Sequence, residues 1–539
     1  SSNDNVLMPL IINIFLDLFP SNYNQIKFIN DVKGRSFDAV ITTGTDNTAV
    51  GLYALLLNTT GANNVALGYL ALRVNTTGAG NTAVGAGAGI SNTTGYSNVF
   101  LGSIAGCSNT GGVRSVIIGG AAGRYAGTFN RVVAVGHKAL YQGTGAYNVA
   151  LGAYTLLANS SCSNNTAVGT SALRCNNANN NTAVGFLAMR NNTSGTKNVG
   201  LGRTALYGNI TGNYNVAVGY DSQRCSGGGS NNTSLGFYSL FANTANNNTA
   251  VGFCALRNNT TGANNTALGF YSLRNNTTGN ENIAVGYLSL ACNTSGTSNT
   301  AVGHWSSRQN LTGLRNTSLG WLSLVNNTAG CNNTAIGVYS LLCNTASNNT
   351  AVGFCALRSN TTGTFNVALG KDALRDGAGS TRNVGIGLGA LRSATGQCNI
   401  AIGVYSQVFS VGTNNVSVGD DTLYCNQTGN NNTALGFQAL RTNTASNNTA
   451  VGYKTLRNNT TGRYNVAAGF CTLISNTTGR NSTALGTLAM RLTTTGAYNT
   501  ALGYYALGKS TTGSNNTVMG HYAGAGGTFS NVVAIGFDA

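Results

Sequence analysis

The feature that most constrains the fold of this chain is a glycine that recurs 16 or 17 residues after the previous one, from Gly51 to Gly536. Each such glycine closes a short apolar run, as in Asn47-Thr48-Ala49-Val50-Gly51. Most copies continue with an Ala-Leu pair and a polar loop such as Asn58-Thr59-Thr60-Gly61. A strict short period over most of the chain predicts an array of stacked repeats and argues against a globular enzyme.

Composition supports stacked β turns over disorder. The chain contains 74 glycines but only 2 prolines, and 42% of its residues are hydrophobic while 8% are charged. A disordered chain would be richer in charge and would not keep apolar residues in phase with a repeat. Few acids and three scattered histidines (His137, His304 and His521) leave little material for acid–base catalysis. We therefore expect neither an enzyme nor a cofactor.

Each repeat has the sequence of one turn of a β-solenoid. Asn-Thr-Ala-Val favours a short strand, and the glycine after it suits a bend with no room for a Cβ atom. Residues such as Phe253–Arg257 are expected to form a second short strand, and 258–262 a return loop. The predicted fold is therefore an all-β parallel β-solenoid of about 30 two-strand turns, roughly 140–150 Å long at the usual strand spacing.

The two faces of the strand are expected to differ in side-chain size. Thr48 and Val50 share one face, whereas Ala49 points the other way. A strand that is apolar on both faces is usually covered on both. We expect the small column to face outwards and to pack against a second copy of the chain around a shared axis. The alternative is a monomeric solenoid whose small column is exposed.

Several strands resemble those of a known family. Asn148-Val149-Ala150-Leu151-Gly152, Asn282-Ile283-Ala284-Val285-Gly286 and Asn399-Ile400-Ala401-Ile402-Gly403 resemble the YadA-like head repeats of trimeric autotransporter adhesins. They are also similar to the Asn-Thr-Ala-Ile-Gly arrays of many phage and giant-virus fibre proteins. The resemblance covers roughly residues 45–539 and implies a left-handed parallel β-roll, usually trimeric, that serves surface display and adhesion.

The chain also departs from the adhesin pattern. Its repeat is longer than that of the adhesin heads, and we identify no heptad stalk, membrane anchor or terminal chaperone domain in it. The fibre comparison therefore carries more weight than the adhesin comparison.

Basic residues are spread along the array. The net charge is +17, but without a Lys/Arg cluster or a binding motif it does not predict a nucleic-acid partner. An arginine often stands five residues after the repeat glycine. One interpretation is structural, with the guanidinium groups bonded to loop carbonyls of a neighbouring turn or chain. The other is an anion-binding stripe for acidic glycans or a cell surface. The stripe candidates are Arg257, Arg274, Arg358, Arg375 and Arg392.

Asn-x-Ser/Thr sequons are dense, and many fall in the predicted return loops, where a glycan would be exposed. The alternative is that asparagine and threonine stack in ladders and that the sequons are accidents of repetition. The candidate glycosylation sites are Asn58, Asn75, Asn92, Asn191, Asn258, Asn275, Asn326, Asn360, Asn458 and Asn476.

Twelve cysteines occupy few repeat positions. Cys162 and Cys331 lie in return loops, and Cys175 and Cys343 come one turn later. These two pairs are candidate disulfides in an oxidising compartment, and the alternative is free thiols that fill the core. Without a Cys-x-x-Cys motif, no metal site is expected.

Residues 1–45 are predicted to form a docking or capping segment with a short apolar helix near Leu10–Phe19, and 46–539 the solenoid. The run Val6–Phe19 is too short to span a membrane. An uncapped final strand could accept the next subunit, or the segment could cap its own solenoid. The candidate assembly residues are Leu10, Ile11, Ile14, Phe15, Phe19, Val533 and Ile535.

Together these features predict a structural subunit of an extracellular or virion-surface fibre that assembles with itself, laterally and head to tail. The alternative is a receptor- or glycan-binding adhesin displayed as an isolated trimeric rod. In both cases the chain would be secreted or carried on a virion.

Overall fold

The computed structural model describes residues 43–125 and 127–539. This part of the chain is a parallel β-solenoid, which confirms the predicted fold class and its 16- or 17-residue period. It divides into two compact units at Val251 and Gly252. The predicted N-terminal helix, with Leu10, Ile11, Ile14, Phe15 and Phe19, lies outside the described residues.

Each turn contributes one strand of three residues. The strands of the first unit are β1 (Thr48–Val50), β2 (Val65–Leu67), β3 (Thr82–Val84), β4 (Val99–Leu101), β5 (Val116–Ile118), β6 (Val133–Val135), β7 (Val149–Leu151), β8 (Thr166–Val168), β9 (Thr182–Val184), β10 (Val199–Leu201), β11 (Val216–Val218), β12 (Thr233–Leu235) and β13 (Thr249–Val251).

Those of the second unit are β14 (Thr266–Leu268), β15 (Ile283–Val285), β16 (Thr300–Val302), β17 (Thr317–Leu319), β18 (Thr334–Ile336), β19 (Thr350–Val352), β20 (Val367–Leu369), β21 (Val384–Ile386), β22 (Ile400–Ile402), β23 (Val416–Val418), β24 (Thr433–Leu435), β25 (Thr449–Val451), β26 (Val466–Ala468), β27 (Thr483–Leu485), β28 (Thr500–Leu502), β29 (Thr517–Met519) and β30 (Val533–Ile535).

Within each unit, consecutive strands pair in parallel and in register. Ala49 lies opposite Ala66 in the first unit, and Ala301 lies opposite Ser318 in the second. Equivalent repeat positions therefore form columns that run from turn to turn.

The glycine after each strand is required by both conformation and space. Gly51 has φ 125°, which side chains rarely adopt, and a Cβ atom built there would lie 2.7 Å from the carbonyl carbon of Gly68. The period of the sequence therefore follows from stacking these bends directly on one another.

The predicted second strand is wrong. After the glycine, Tyr53 and Leu55 have φ 61° and 50°, and Ala54 between them does not share this left-handed conformation. The alternation curls the chain around a narrow interior, which an extended strand would not do. Neighbouring turns are still joined here, since the Leu55 N–H donates to the Ala71 carbonyl over 3.0 Å. Each turn thus has one strand and one curled segment.

The predicted orientation of the strand is also wrong. Its small middle residue lines the interior: Ala66 is fully buried, as are Ala71 and Leu72 from the curled segment. The flanking residues, Val65 and Leu67 in this strand, face outwards and are half-buried. The interior is too narrow to admit a larger strand residue opposite the buried leucines, so the sequence places alanine, serine or glycine there in most turns.

Candidate functional surfaces

Two buried columns of asparagine run beside the apolar core. In one, the Asn64 side chain donates to Asn47 Oδ1 over 3.1 Å and to the Gly78 carbonyl over 2.8 Å. In the other, Asn75 Nδ2 donates to Asn58 Oδ1 over 2.7 Å and to the same Gly78 carbonyl over 2.8 Å. Each of these amides therefore links its own turn to a neighbour and finds its partners within the chain.

These ladders divide the candidate glycosylation sites. Five side chains belong to the second ladder and are buried: Asn58, Asn75, Asn92, Asn360 and Asn476. Asn191, Asn275 and Asn326 are half-buried, and Asn258 and Asn458 are exposed. A glycan on the buried amides would require the turn to open, whereas the exposed pair is accessible in the folded chain. Glycosylation itself stays a prediction.

The outward residues of the strands form a continuous uncharged surface in each unit. We call the first and third residues of β1–β30 the strand face. Every one of them is valine, isoleucine, leucine, threonine, methionine or alanine. Many are well exposed, including Leu235 at 47% in the first unit and Leu319 at 46% in the second. A solvent-facing strand of a soluble protein would normally alternate with polar or charged residues.

Aromatic rings flank the strand face in many turns. We call the residue directly after each strand glycine the aromatic column. In the second unit Phe253, Phe270, Tyr287 and His304 stack in sequence, with ring centroids 5.2, 5.3 and 5.0 Å apart and interplanar angles of 13°, 6° and 12°. Because the rings cover one another's faces, the stack presents mainly ring edges outwards.

The candidate anion stripe is partly engaged within the protein. The Arg274 guanidinium lies 4.6 Å from the ring centre of Tyr271, and that of Arg358 lies 5.5 Å from the ring of Tyr339. Such contacts are cation–π interactions. Arg257 occupies the same repeat position and is half-buried.

Asp376 holds the other two arginines of the predicted stripe. Its carboxylate lies 2.9 Å from Arg375 Nε and 3.9 Å from Arg392 Nε. The hydrogen bond to Asp376 is the main cause of a raised pKa for Arg375. Like charges on adjacent turns are thus partly offset by an acid between them. The five arginines are therefore not a uniform row of free cations.

All twelve cysteines lie in the described chain and are free thiols in this structure, so the disulfides Cys162–Cys175 and Cys331–Cys343 stay a prediction. Cys162 is buried, and its thiol donates to Asn177 Oδ1 over 3.5 Å, whereas Cys175 is exposed. Likewise Cys331 Sγ donates to the Ala329 carbonyl within its own loop over 3.4 Å. The sequence places each pair one turn apart, but the thiols occupy different columns.

Burial affects the chemistry of the inner thiols. Desolvation raises the pKa of Cys162, Cys254, Cys355 and Cys471, so less of each is present as the reactive thiolate near neutral pH.

Val533 and Ile535 of β30 are 72% and 67% exposed, and β29 is the neighbour that pairs with this strand. Their predicted role in assembly stays a prediction.

Residues 43–125 and 127–539 contain no group of three or more His, Cys, Asp or Glu side chains arranged to hold a metal ion. Over the same residues, no apolar helix is long enough to span a membrane. Comparison with protein-family models, curated proteins and solved structures found no match for this chain.

Proposed function

We propose that this chain is a structural subunit of an extracellular or virion-surface fibre, in which copies pack side by side through the strand face. The observation that carries the proposal is the absence of charge from the first and third residues of the described strands, β1–β30. A trimer around a shared axis is the arrangement that the resemblance to fibre and adhesin repeats implies.

The physical argument concerns uncovered apolar area. Exposed apolar patches beyond a few hundred Å² generally mark an interaction surface. Parallel sheets are almost always covered on both faces, and here the curled segment covers only the inner one. Burying a half-exposed valine or leucine stabilises an interface by about 1 kcal/mol, roughly half of the value for full burial. Repetition over many turns can therefore exceed the entropic cost of association.

The residues beside the strand face fit a protein interface. Aromatic side chains and arginine are enriched at such interfaces, and acidic side chains are depleted. In the second unit the aromatic column supplies Phe253, Phe270, Tyr287 and Trp321. The outward ring edges of the stacked Phe253, Phe270 and Tyr287 suit packing against another protein better than stacking on sugar rings, which requires open ring faces.

An adhesin that binds acidic glycans is the second candidate, and the charge of the first unit favours it. Residues 47–220 contain no acid. The basic residues of that stretch are Arg73, Arg114, Arg124, Arg131, Lys138, Arg174, Arg190, Lys197 and Arg203.

Charged substitutions on the strand face test the first proposal. In Leu319→Lys/Ile336→Lys, both new side chains point outwards, so the subunit should still fold. Thr312→Lys/Thr328→Lys, at two exposed loop positions, adds the same charge and is the matched control. We expect sedimentation to give the wild type and the control a mass of at least two chains of 55.0 kDa each, and the double strand-face variant a lower mass.

A wild type that sediments as a single chain at all concentrations would contradict side-by-side packing. In that case, specific binding of acidic glycans on a glycan array would favour the adhesin.

A further inference from the structure

One turn of the first unit carries polar residues where its neighbours have core residues. The fourth residue after the strand glycine is Gln223, between Leu206 and Leu240 in the same column. Three residues later, Ser226 interrupts the second asparagine ladder after Asn209. Gln223, Ser226 and Asn209 are all fully buried.

These three residues leave four polar atoms without a protein partner. They are Gln223 Nε2, Gln223 Oε1, Ser226 Oγ and Asn209 Oδ1. In an intact stretch of the ladder, the oxygen equivalent to Asn209 Oδ1 accepts a hydrogen bond, as Asn58 Oδ1 does from Asn75. The serine side chain is shorter than the asparagine it replaces, so the ladder is broken at this turn.

The three residues occupy neighbouring positions of the fold. At the positions equivalent to Ser226 and Gln223, a Cβ atom built at Gly143 would lie 2.4 Å from Leu140 Cδ1, whereas one built at Gly377 in another turn would lie nearest to the Ala394 carbonyl oxygen, at 2.6 Å. Gln223 and Ser226 thus stand three residues apart in the same turn. Asn209 and Ser226 follow one another in the ladder column, where side chains of adjacent turns hydrogen-bond directly.

We propose that this turn encloses a buried hydration site, in which ordered water bridges Gln223, Ser226 and Asn209. Water suits this set because the two amide oxygens accept, the Gln223 amide nitrogen donates, and the Ser226 hydroxyl does either. A buried water typically makes about three hydrogen bonds to otherwise unsatisfied groups. Leaving the same groups dry would cost the desolvation energy of each.

A related turn in the second unit shows a different solution. Gln407 occupies the same repeat position, is also fully buried and lies between two leucines, Leu391 and Leu423. Its Nε2 donates to Ser417 Oγ over 2.8 Å and to the Ile400 carbonyl over 3.2 Å. The Gln407 amide nitrogen therefore has protein partners that the Gln223 amide nitrogen lacks, while the amide oxygens of both residues have none. Gln407 is thus a control for the amide nitrogen.

The direct test is a structure of the wild-type chain in which ordered waters are resolved. We expect density within hydrogen-bonding distance of the Gln223 amide, Ser226 Oγ and Asn209 Oδ1. A Gln223 amide bonded directly to Ser234, in the way that Gln407 bonds to Ser417, with no water between Asn209 and Ser226, would overturn the proposal.

A second measurement uses Gln223→Leu/Ser226→Asn, which restores the residues of neighbouring turns. Because bridging water already satisfies these groups in the wild type, we expect hydrogen exchange over 216–235 to change by less than tenfold. Gln407→Leu removes two hydrogen bonds and should speed exchange over 400–418. Exchange that slows tenfold or more in the first variant would contradict the proposal, because it would show that dry, unpartnered groups had been removed.

Discussion

Phe100 provides the sharpest test of the narrow interior. It occupies the middle of β4, where most strands have alanine, and its ring lies between Gly89 and Gly106, which replace the usual leucines. A Cβ atom at Gly106 would lie 2.3 Å from Phe100 Cδ1, and one at Gly89 would lie 2.7 Å from Phe100 Cδ2. One large ring thus fills the space that two leucines fill elsewhere.

The expected energies follow from this exchange of volume. Phe100→Ala should destabilise the surrounding turns by about 3–5 kcal/mol, since it leaves a cavity between two glycines. Gly106→Leu alone should cost about 1–3 kcal/mol or more through overpacking. The triple variant Phe100→Ala/Gly89→Leu/Gly106→Leu should recover most of the loss. Its backbone is suited to leucine, because Gly106 has φ 58° and Leu55 adopts φ 50° at the equivalent position.

Hydrogen exchange of the full chain is the appropriate assay, because a repeat array opens locally and one unfolding midpoint would average over its turns. Amides in 99–106 should exchange faster in Phe100→Ala than in the triple variant by about two orders of magnitude or more, as expected from a recovery of about 3 kcal/mol. Phe365→Ala, at a position that is 57% exposed, should leave exchange nearly unchanged. A triple variant that exchanges as fast as Phe100→Ala would refute the packing argument.

Five further predictions concern the ladders, the thiols, charge and glycans. Asn75→Ala removes the donor to Asn58 Oδ1 and the Gly78 carbonyl, so hydrogen exchange in the adjoining turns should speed up by an amount equivalent to about 1–3 kcal/mol. Asn458→Ala, at an exposed site, should have little effect on exchange. A thiol reagent at pH 8 should modify the exposed Cys175 and Cys225 before the buried Cys254 and Cys355, and equal rates would contradict the burial. Burial raises the pKa of Cys254 and Cys355. Their contribution to stability is therefore present below the pKa of an unfolded thiol and is lost as the pH rises through the folded value. Denaturant titrations at pH 7 and 10 should show a smaller loss of stability in Cys254→Ala/Cys355→Ala than in the wild type. Copies with a net charge of +17 repel one another, and this repulsion is screened as salt rises from about 0.01 to 0.15 M, where the Debye length falls to about 8 Å. Side-by-side association measured by sedimentation should therefore strengthen with salt. Weaker association at the higher salt concentration would contradict packing through an uncharged face. Mass spectrometry of chain secreted from a eukaryotic host should find glycans at Asn258 or Asn458 in preference to Asn75 or Asn360, and the reverse order would show that modification precedes folding of these turns.

The repeat glycine made the fold class predictable, because its spacing reports the length of one turn. The second strand was not predictable from propensity, since Tyr53 and Leu55 are residues that rarely adopt left-handed conformations. In this fold, hydrogen bonds between neighbouring turns hold such residues there, as the bond from the Leu55 N–H to the Ala71 carbonyl does. Local sequence preferences carry no information about such partners.

The surfaces were predicted less well than the fold. The alternation of Thr48, Ala49 and Val50 identifies two faces, but apolar residues on both make the inward one ambiguous. The sequence does contain a signal that identifies the inward face. Phe100, a large residue in the middle of its strand, occurs where Gly89 and Gly106 replace the usual leucines, and this exchange of volume indicates that the three positions share one interior. The alternative interpretation of the sequons as stacked asparagine ladders is the one that the buried amides support.

The most direct test of the central claim is electron cryo-microscopy of the native material without crosslinker. Side-by-side packing predicts copies whose strand faces meet, with Val302, Leu319 and Ile336 within about 4.5 Å of apolar atoms from another copy. Single copies, or assemblies in which these three side chains contact only solvent, would contradict the account.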